Sequence, residues 1–231
     1  MIYMAWSFLV WTFIYICIQR FFKHHTSEWV SRVLAMCHSI AITKLAELTF
    51  IFDEFPVNRY GMSNTAWYTF LVSFSAGYFL FDTMWCLYMN SEGLTMLLHH
   101  VISLSALFGS LYFNASGAEI IGALWVTEAT NPFLQVRWFL REAGKHNTNF
   151  ALVNECVFAA MFAYFRFVMG TVLVGQMMIN PESGLLFKVG GGSLYVISII
   201  WMVFITKMVR KKWKLLQEGQ LKPDVPISES Q

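Results

Sequence analysis

Seven long apolar runs, separated by short polar turns, make up most of this sequence. A run of about 20 apolar residues is long enough to cross a bilayer as a helix. The runs cover residues 2–18, 33–52, 66–89, 94–113, 118–140, 150–179 and 185–208. Charged residues make up only 13% of the chain, against about 25% in soluble domains, so the chain cannot cover itself with a polar surface. We therefore predict an all-α polytopic membrane protein with seven transmembrane helices.

The ends and turns of the runs carry few processing signals. The first run lacks a charged leading segment and a small-residue cleavage site, so we interpret it as a retained helix and not a signal peptide. The sequon Asn114–Ala115–Ser116 lies in a turn flush with the membrane, and we interpret it as an unmodified turn. The cysteines all lie inside apolar runs, which argues against a disulfide framework: Cys17, Cys37, Cys86 and Cys156.

The basic residues test the number of spans. If the turns after odd-numbered spans face one side, that side holds Arg20, Lys23, Arg32, Arg137, Arg141, Lys145, Lys207, Arg210, Lys211, Lys212, Lys214 and Lys222. The opposite side holds only Arg59 and Lys188, and Lys44 and Arg166 lie within spans. Cytoplasmic loops carry the excess of Lys and Arg. We therefore expect a lumenal or extracellular N-terminus and a cytoplasmic C-terminus, an agreement that an even number of spans would destroy.

Charged residues inside the spans indicate a polar interior. Asp82, Glu128 and Arg166 lie deepest, where each charge costs about 2.5–3.5 kcal/mol on insertion scales. Helical spacing places Tyr78 with Asp82 on one face, and the fifth span has a similar face. That face carries Glu128, Asn131 and Gln135. For Asp82 and Arg166, structural ion pairing is an alternative to a functional role, since buried polar residues also hold membrane helices together.

Two adjacent histidines, His99 and His100, lie inside the fourth apolar run. Imidazole carries protons or an acyl group near neutral pH, and two neighbouring imidazoles are a poor way to join two helices. We predict that they face the same interior as His38 and Glu128, with Ser103 one turn beyond His100. For His38, a helix-packing role is the alternative.

Four segments resemble the TLC domain, which is named for the TRAM, Lag1 and ceroid-lipofuscinosis membrane proteins. They are Arg32–His38, Gly77–Asp82, Leu98–Ser103 with the histidine pair, and Glu128–Trp138. The likeness runs from about Ser27 to Met208 and is greatest to the subgroup called TLC domain-containing protein 5. We accordingly expect a first helix with a basic loop at residues 1–26, a TLC domain at 27–214 and a disordered cytoplasmic tail at 215–231.

The resemblance implies a six-helix barrel around a lipid-accessible tunnel, with a peripheral first helix, in the endoplasmic reticulum. In ceramide synthases of this family the double histidine is taken as the site of acyl transfer from acyl-CoA, and His99 and His100 occupy that place here. The ceramide-synthase signature Asp-x-Ser-Asp-x-x-x-Glu is replaced by Glu128, Thr130, Asn131 and Gln135. Two carboxylates have become amides, which argues against ceramide synthesis.

Two functions stay open from the sequence. The first is an acyltransferase in which His99 or His100 reacts, oriented by Asp82 or Glu128, with acyl-CoA as co-substrate. The phosphates of acyl-CoA would contact Arg137, Arg141 and Lys145. The second is a non-catalytic lipid-binding protein that regulates membrane lipid composition. We expect membrane lipids as partners, no nucleic acid, and no metal, because the chain lacks His-x-x-x-His and its last span has no histidine.

Overall fold

The computed structural model describes residues 1–218, and nearly all of them are helical. The helices are α1 (Ile2–Phe21), α2 (Ser27–Phe52), α3 (Ala66–Met89), α4 (Leu94–Phe113), α5 (Gly117–Glu128), α6 (Asn131–Glu142), α7 (Asn149–Ala163), α8 (Gly170–Ile179) and α9 (Leu185–Gln217). Within this part of the chain, β-structure is limited to an isolated bridge between Ser63 and Ala115. Six continuous helical segments are long and apolar enough to cross a membrane. These are α1 to α4, the segment Asn149–Ile179 and α9.

The fifth predicted span is a kinked helix. It divides into α5 and α6, each of 12 residues. Pro132 lies in the first turn of α6, where its ring cannot donate the backbone hydrogen bond that would continue α5. Ala129 and Thr130 keep right-handed helical backbone angles, so the chain continues through the break.

This kinked segment still passes from one end of the molecule to the other. At its start, Glu119 accepts hydrogen bonds from the Gly61 backbone and the Ser183 hydroxyl, in the turns after α2 and α8. At its end, Trp138 lies under the guanidinium of Arg32, near the start of α2. Since α2 is 26 residues long, or about 39 Å, these contacts lie far apart. The predicted all-α polytopic fold is confirmed, with six continuous candidate spans and two half-helices in place of the fifth predicted span.

The helices after α1 close into a ring. α2 contacts α3, α3 contacts α4, and α4 contacts α9. The segment containing α7 and α8 packs against both α9 and the α5–α6 pair, which returns to α2. This is the six-helix barrel that the family resemblance implied.

The first helix lies outside the ring and packs mainly on α3. Only Met4 and Trp11 of α1 are buried. A Cβ at Gly77 would lie 2.4 Å from the Ser7 Cβ, so the glycine allows the close approach of α1. The remaining surface of α1 is apolar and exposed, as expected of a helix that faces lipid.

The sixth span holds a feature without a sequence signal. Residues Tyr164–Met169, which include Arg166, form a π-helical turn between α7 and α8. Such turns are rare and occur often at functional sites. At the C-terminus, α9 extends to Gln217, so residues 215–217 of the predicted tail are helical. The rest of that tail, after Glu218, lies outside the described residues.

Candidate functional site

A cavity of about 340 Å³ lies inside the ring, between α3, α4, the α5–α6 kink, the π-helical turn and α9. Eight of the ten residues predicted for the site line it: Tyr78, Asp82, His99, His100, Glu128, Asn131, Gln135 and Arg166. The apolar part of the wall includes Phe158, Phe162, Phe204 and Ile205. Polar groups from four separate spans therefore converge on one space in a lipid-facing bundle.

The other two predicted residues, His38 and Ser103, do not line this cavity. His38 is completely buried, with Nε2 3.2 Å from the Ser75 hydroxyl and its ring stacked 3.9 Å from that of Tyr78. Its Nδ1 lies 3.9 Å from a Glu128 carboxylate oxygen, so it supports the cavity wall from behind. Ser103 lines a separate, mostly apolar cavity of about 40 Å³.

The two ring nitrogens of His100 have different neighbours. The Thr83 hydroxyl donates its only proton to the Phe79 carbonyl at 2.6 Å. The contact of 3.2 Å between that hydroxyl and His100 Nδ1 is therefore a bond that Nδ1–H donates. Nε2 faces Asp82, with 3.6 Å between it and the carboxylate Oδ2.

His99 has different surroundings from its neighbour. The two rings are nearly perpendicular, at 85°, so they present different edges to the cavity. His99 packs against the ring of Trp201 at 5.2 Å, and its Nδ1 has no hydrogen-bond partner among residues 1–218. Nδ1 of His100 is therefore hydrogen-bonded to Thr83, whereas Nδ1 of His99 lacks a partner in the described part of the chain.

A hydrogen-bonded row crosses the kink between α5 and α6. The Asn131 amide donates to Glu128 at 3.1 Å, and the Gln135 amide donates to Asn131 at 2.7 Å. The spacing predicted that these three side chains share a face, and the structure confirms it.

Arg166 has neutral hydrogen-bond partners. Its guanidinium donates to the Ser198 hydroxyl and the Thr127 carbonyl, each at 3.2 Å. It also lies over the rings of Phe162 and Trp201, at 5.3 and 5.8 Å. The prediction that Arg166 is buried with a polar partner is confirmed, since only 6% of it is exposed. The partners are a hydroxyl and a carbonyl, and not the carboxylate of an ion pair.

Ion pairs lie at the end of the cavity that carries the basic turns. Arg32 contacts Glu92 at 2.8 Å and Glu28 at 3.2 Å. Arg137 contacts Glu155 at 3.1 Å, and the Lys212 ammonium donates to the His146 carbonyl. Arg32 and Arg137 also line the cavity, so charged side chains form its rim at this end.

Cys86 is a site residue that was not among those predicted from the sequence. It lines the cavity one helical turn after Asp82 on α3. The available signal was the spacing of four residues, which places both side chains on one helix face. Thr83 was missed because its role depends on its contact with His100, which lies on another helix.

Comparisons with known proteins agree with the motif likeness. The family model described as TLC domain matches residues 1–207, including α1. TLC domain-containing protein 4 A of Dictyostelium discoideum is 26% identical over 157 residues. That alignment covers 66% of this chain and 60% of the relative, so the chain spans about three fifths of that protein's length. The subgroup likeness stays a prediction.

Proposed function

Because this chain belongs to the TLC domain family, we propose that it is a multi-pass membrane protein of lipid metabolism that transfers an acyl group from acyl-CoA to a lipid acceptor. The observation that carries the proposal is the pair of imidazoles on the wall of a cavity inside the helical ring. Imidazole is a nucleophile for acyl groups, and a site sheltered from bulk water protects an acylated intermediate from hydrolysis.

The two histidines take different roles in this proposal. The His99 imidazole attacks the thioester carbonyl, a carbon–nitrogen bond forms as the carbon–sulfur bond breaks, and coenzyme A leaves as its thiol with the imidazole proton. A lipid hydroxyl then attacks the acyl-imidazole, and its proton returns to the ring. His100 is a positioning residue, because its Nδ1 is hydrogen-bonded to Thr83 and its Nε2 faces Asp82.

The rim and wall suit the two parts of an acyl-CoA. Arg141 in the last turn of α6 and Lys145 just after that helix are exposed near the rim formed by Arg137, where they can meet phosphate groups. The acyl chain would lie along the apolar wall of phenylalanines and Ile205.

The acceptor in this proposal is a neutral hydroxyl lipid and not the amine of ceramide synthesis. Asn131 and Gln135 replace two carboxylates, and their amides are committed to the row that ends at Glu128. The site therefore has two fewer negative charges with which to hold a cationic amine.

A second candidate is a non-catalytic lipid-binding protein that regulates membrane composition. Arg166 favours it, since a buried guanidinium on the cavity wall, held by neutral partners, suits a phosphate or carboxylate headgroup. In this reading the histidines only complete the polar wall.

We also propose a lumenal N-terminus, a cytoplasmic C-terminus and residence in the endoplasmic reticulum. The excess of Lys and Arg at one end supports this orientation. The test is protease treatment of cells in which only the plasma membrane is permeabilised. If a C-terminal tag resists the protease while a cytosolic epitope is cut, the proposed orientation is wrong.

The acyl-transfer proposal is tested with His99→Ala, His100→Ala, the double variant and His24→Ala as an exposed control. Purified protein incubated with palmitoyl-CoA should gain a palmitoyl group by intact mass, and His99→Ala should abolish the gain.

Cellular lipid composition, normalised to protein abundance, should change in both single variants and not in His24→Ala. An unchanged lipid profile in the double variant would reject acyl transfer in favour of the regulator. An adduct that persists in His99→Ala would overturn the role given to that residue.

A further inference from the structure

We propose that Asp82, Cys86 and His100 bind one divalent transition metal of the zinc type. A carboxylate oxygen, the thiol sulfur and an imidazole nitrogen from these residues all lie within 4.8 Å of one another. All three residues line the cavity. This site rests on a different observation from the acyl-transfer proposal, in which His100 is a positioning residue and forms no bond to the acyl group.

The packing of two helices creates the cluster. Asp82 and Cys86 are four residues apart on α3, so both side chains lie on one face. His100 comes from α4, which packs directly against α3. The cluster therefore rests on two spanning helices of the barrel, which hold side chains more precisely than loops do.

The tautomer of His100 supports a cation at this point. Since Nδ1–H donates to Thr83, a neutral ring has its lone pair on Nε2, the nitrogen that faces Asp82. A lone pair and a carboxylate oxygen 3.6 Å apart repel each other unless a proton or a cation lies between them. A metal-ligating histidine typically donates its other N–H to a nearby acceptor, as His100 does to Thr83.

The donor set selects the class of metal. Sulfur and imidazole donors favour zinc and its neighbours, whereas magnesium and calcium take oxygen ligands. Three protein ligands are one fewer than a structural zinc site uses. The fourth position would be filled from the cavity, by water or by an oxygen of a bound lipid.

Cobalt titration of the purified, chelator-treated full chain tests the site directly. Co²⁺ should bind with one equivalent per chain and produce a thiolate-to-cobalt absorption band. Cys86→Ser and His100→Ala should lose the band. Cys17→Ser should keep it, because Cys17 is also a half-buried cysteine but lies on α1. No band in the wild type, or a band that persists in Cys86→Ser, would overturn the proposal.

The positioning role of Thr83 gives a graded test. Thr83→Ala should weaken Co²⁺ affinity about tenfold, the usual cost of removing a partner of a metal ligand. Thr83→Ser should restore the affinity, because it keeps the hydroxyl. Equal affinities in the alanine variant and the wild type would contradict the assigned orientation of His100.

A measurement on the wild type avoids any effect of substitutions on folding. Zn²⁺ should slow alkylation of Cys86 about tenfold, because a metal-bound thiolate is a poor nucleophile, while alkylation of Cys17 stays constant. Equal rates at Cys86 with and without Zn²⁺ would overturn the site. Because these readouts are metal binding and thiol protection, their failure would leave the palmitoyl-adduct test of acyl transfer unaffected.

Discussion

The two ends of α5 carry buried glutamates with opposite surroundings. Glu119 is 1% exposed, and its Oε1 accepts hydrogen bonds from the Gly61 backbone at 2.7 Å and from the hydroxyls of Ser116 and Ser183 at 3.1 Å each. Glu128 is 5% exposed and accepts one hydrogen bond, from Asn131. We call the group Gly61, Ser116, Glu119 and Ser183 the latch.

The difference separates a structural carboxylate from one available for function. In the latch, three donors from three different turns meet at one oxygen, which ties those turns together. The latch also lies beside Tyr60, whose hydroxyl donates to the Leu173 carbonyl, and burial raises the pKa of that hydroxyl. Glu128 faces the cavity of about 340 Å³, which has space for a ligand, whereas the cavities beside Glu119 measure only about 40–50 Å³. A buried charge is therefore informative about function only when its partners are known.

The largest effect on stability should follow Glu119→Ala. The substitution leaves three donors in the latch without their acceptor, at about 1–3 kcal/mol for each group that stays buried and unpaired. We expect a loss of about 3 kcal/mol or more, measured as a large fall in the melting temperature in detergent and in protein level. Glu119→Gln keeps an acceptor oxygen and should lose about 1 kcal/mol. Equal losses in the two variants would contradict the account of the latch.

An intermediate effect is expected for Gly61→Ala. Gly61 has φ +78°, and a Cβ there would lie 2.6 Å from the Glu182 backbone. Gly144 is the matched control, with φ +68° and no atom within 4 Å of its Cβ position. Gly144→Ala should cost only the left-handed backbone, about 1 kcal/mol, and Gly61→Ala should cost about 2 kcal/mol or more. The same melting temperature for both alanine variants would mean that the turns of the latch are not closely packed.

The smallest effect on stability should follow Glu128→Gln. The amide oxygen can still accept the hydrogen bond from Asn131, so the loss should be below about 1 kcal/mol. The same variant should change the lipid profile, because it removes an ionisable group from the cavity wall. A fall in melting temperature as large as that of Glu119→Ala would place Glu128 with the structural carboxylates and break the comparison.

The hydropathy pattern was sufficient for the number of spans, whereas the barrel was implied by the family resemblance. Apolar runs and the asymmetry of Lys and Arg predict seven crossings, because the bilayer imposes length and the backbone must satisfy its own hydrogen bonds. The spacing of Glu128, Asn131 and Gln135 predicts their common face. These are local properties, in which the relevant partners lie within one or two helical turns.

Contacts between helices decided the rest. His38 and Ser103 occur in the same kinds of run as His99, yet helix rotation places them behind the wall and at a second cavity. Two of the three donors that distinguish Glu119 from Glu128 lie in turns more than fifty residues away from Glu119. The roles of Thr83 and Cys86 depend on how α4 lies against α3. The hydrophobic pattern of the sequence specifies which residues are shielded from water or from lipid. Which polar groups contact each other depends on the relative rotation of the helices, and only the packed structure determines that rotation.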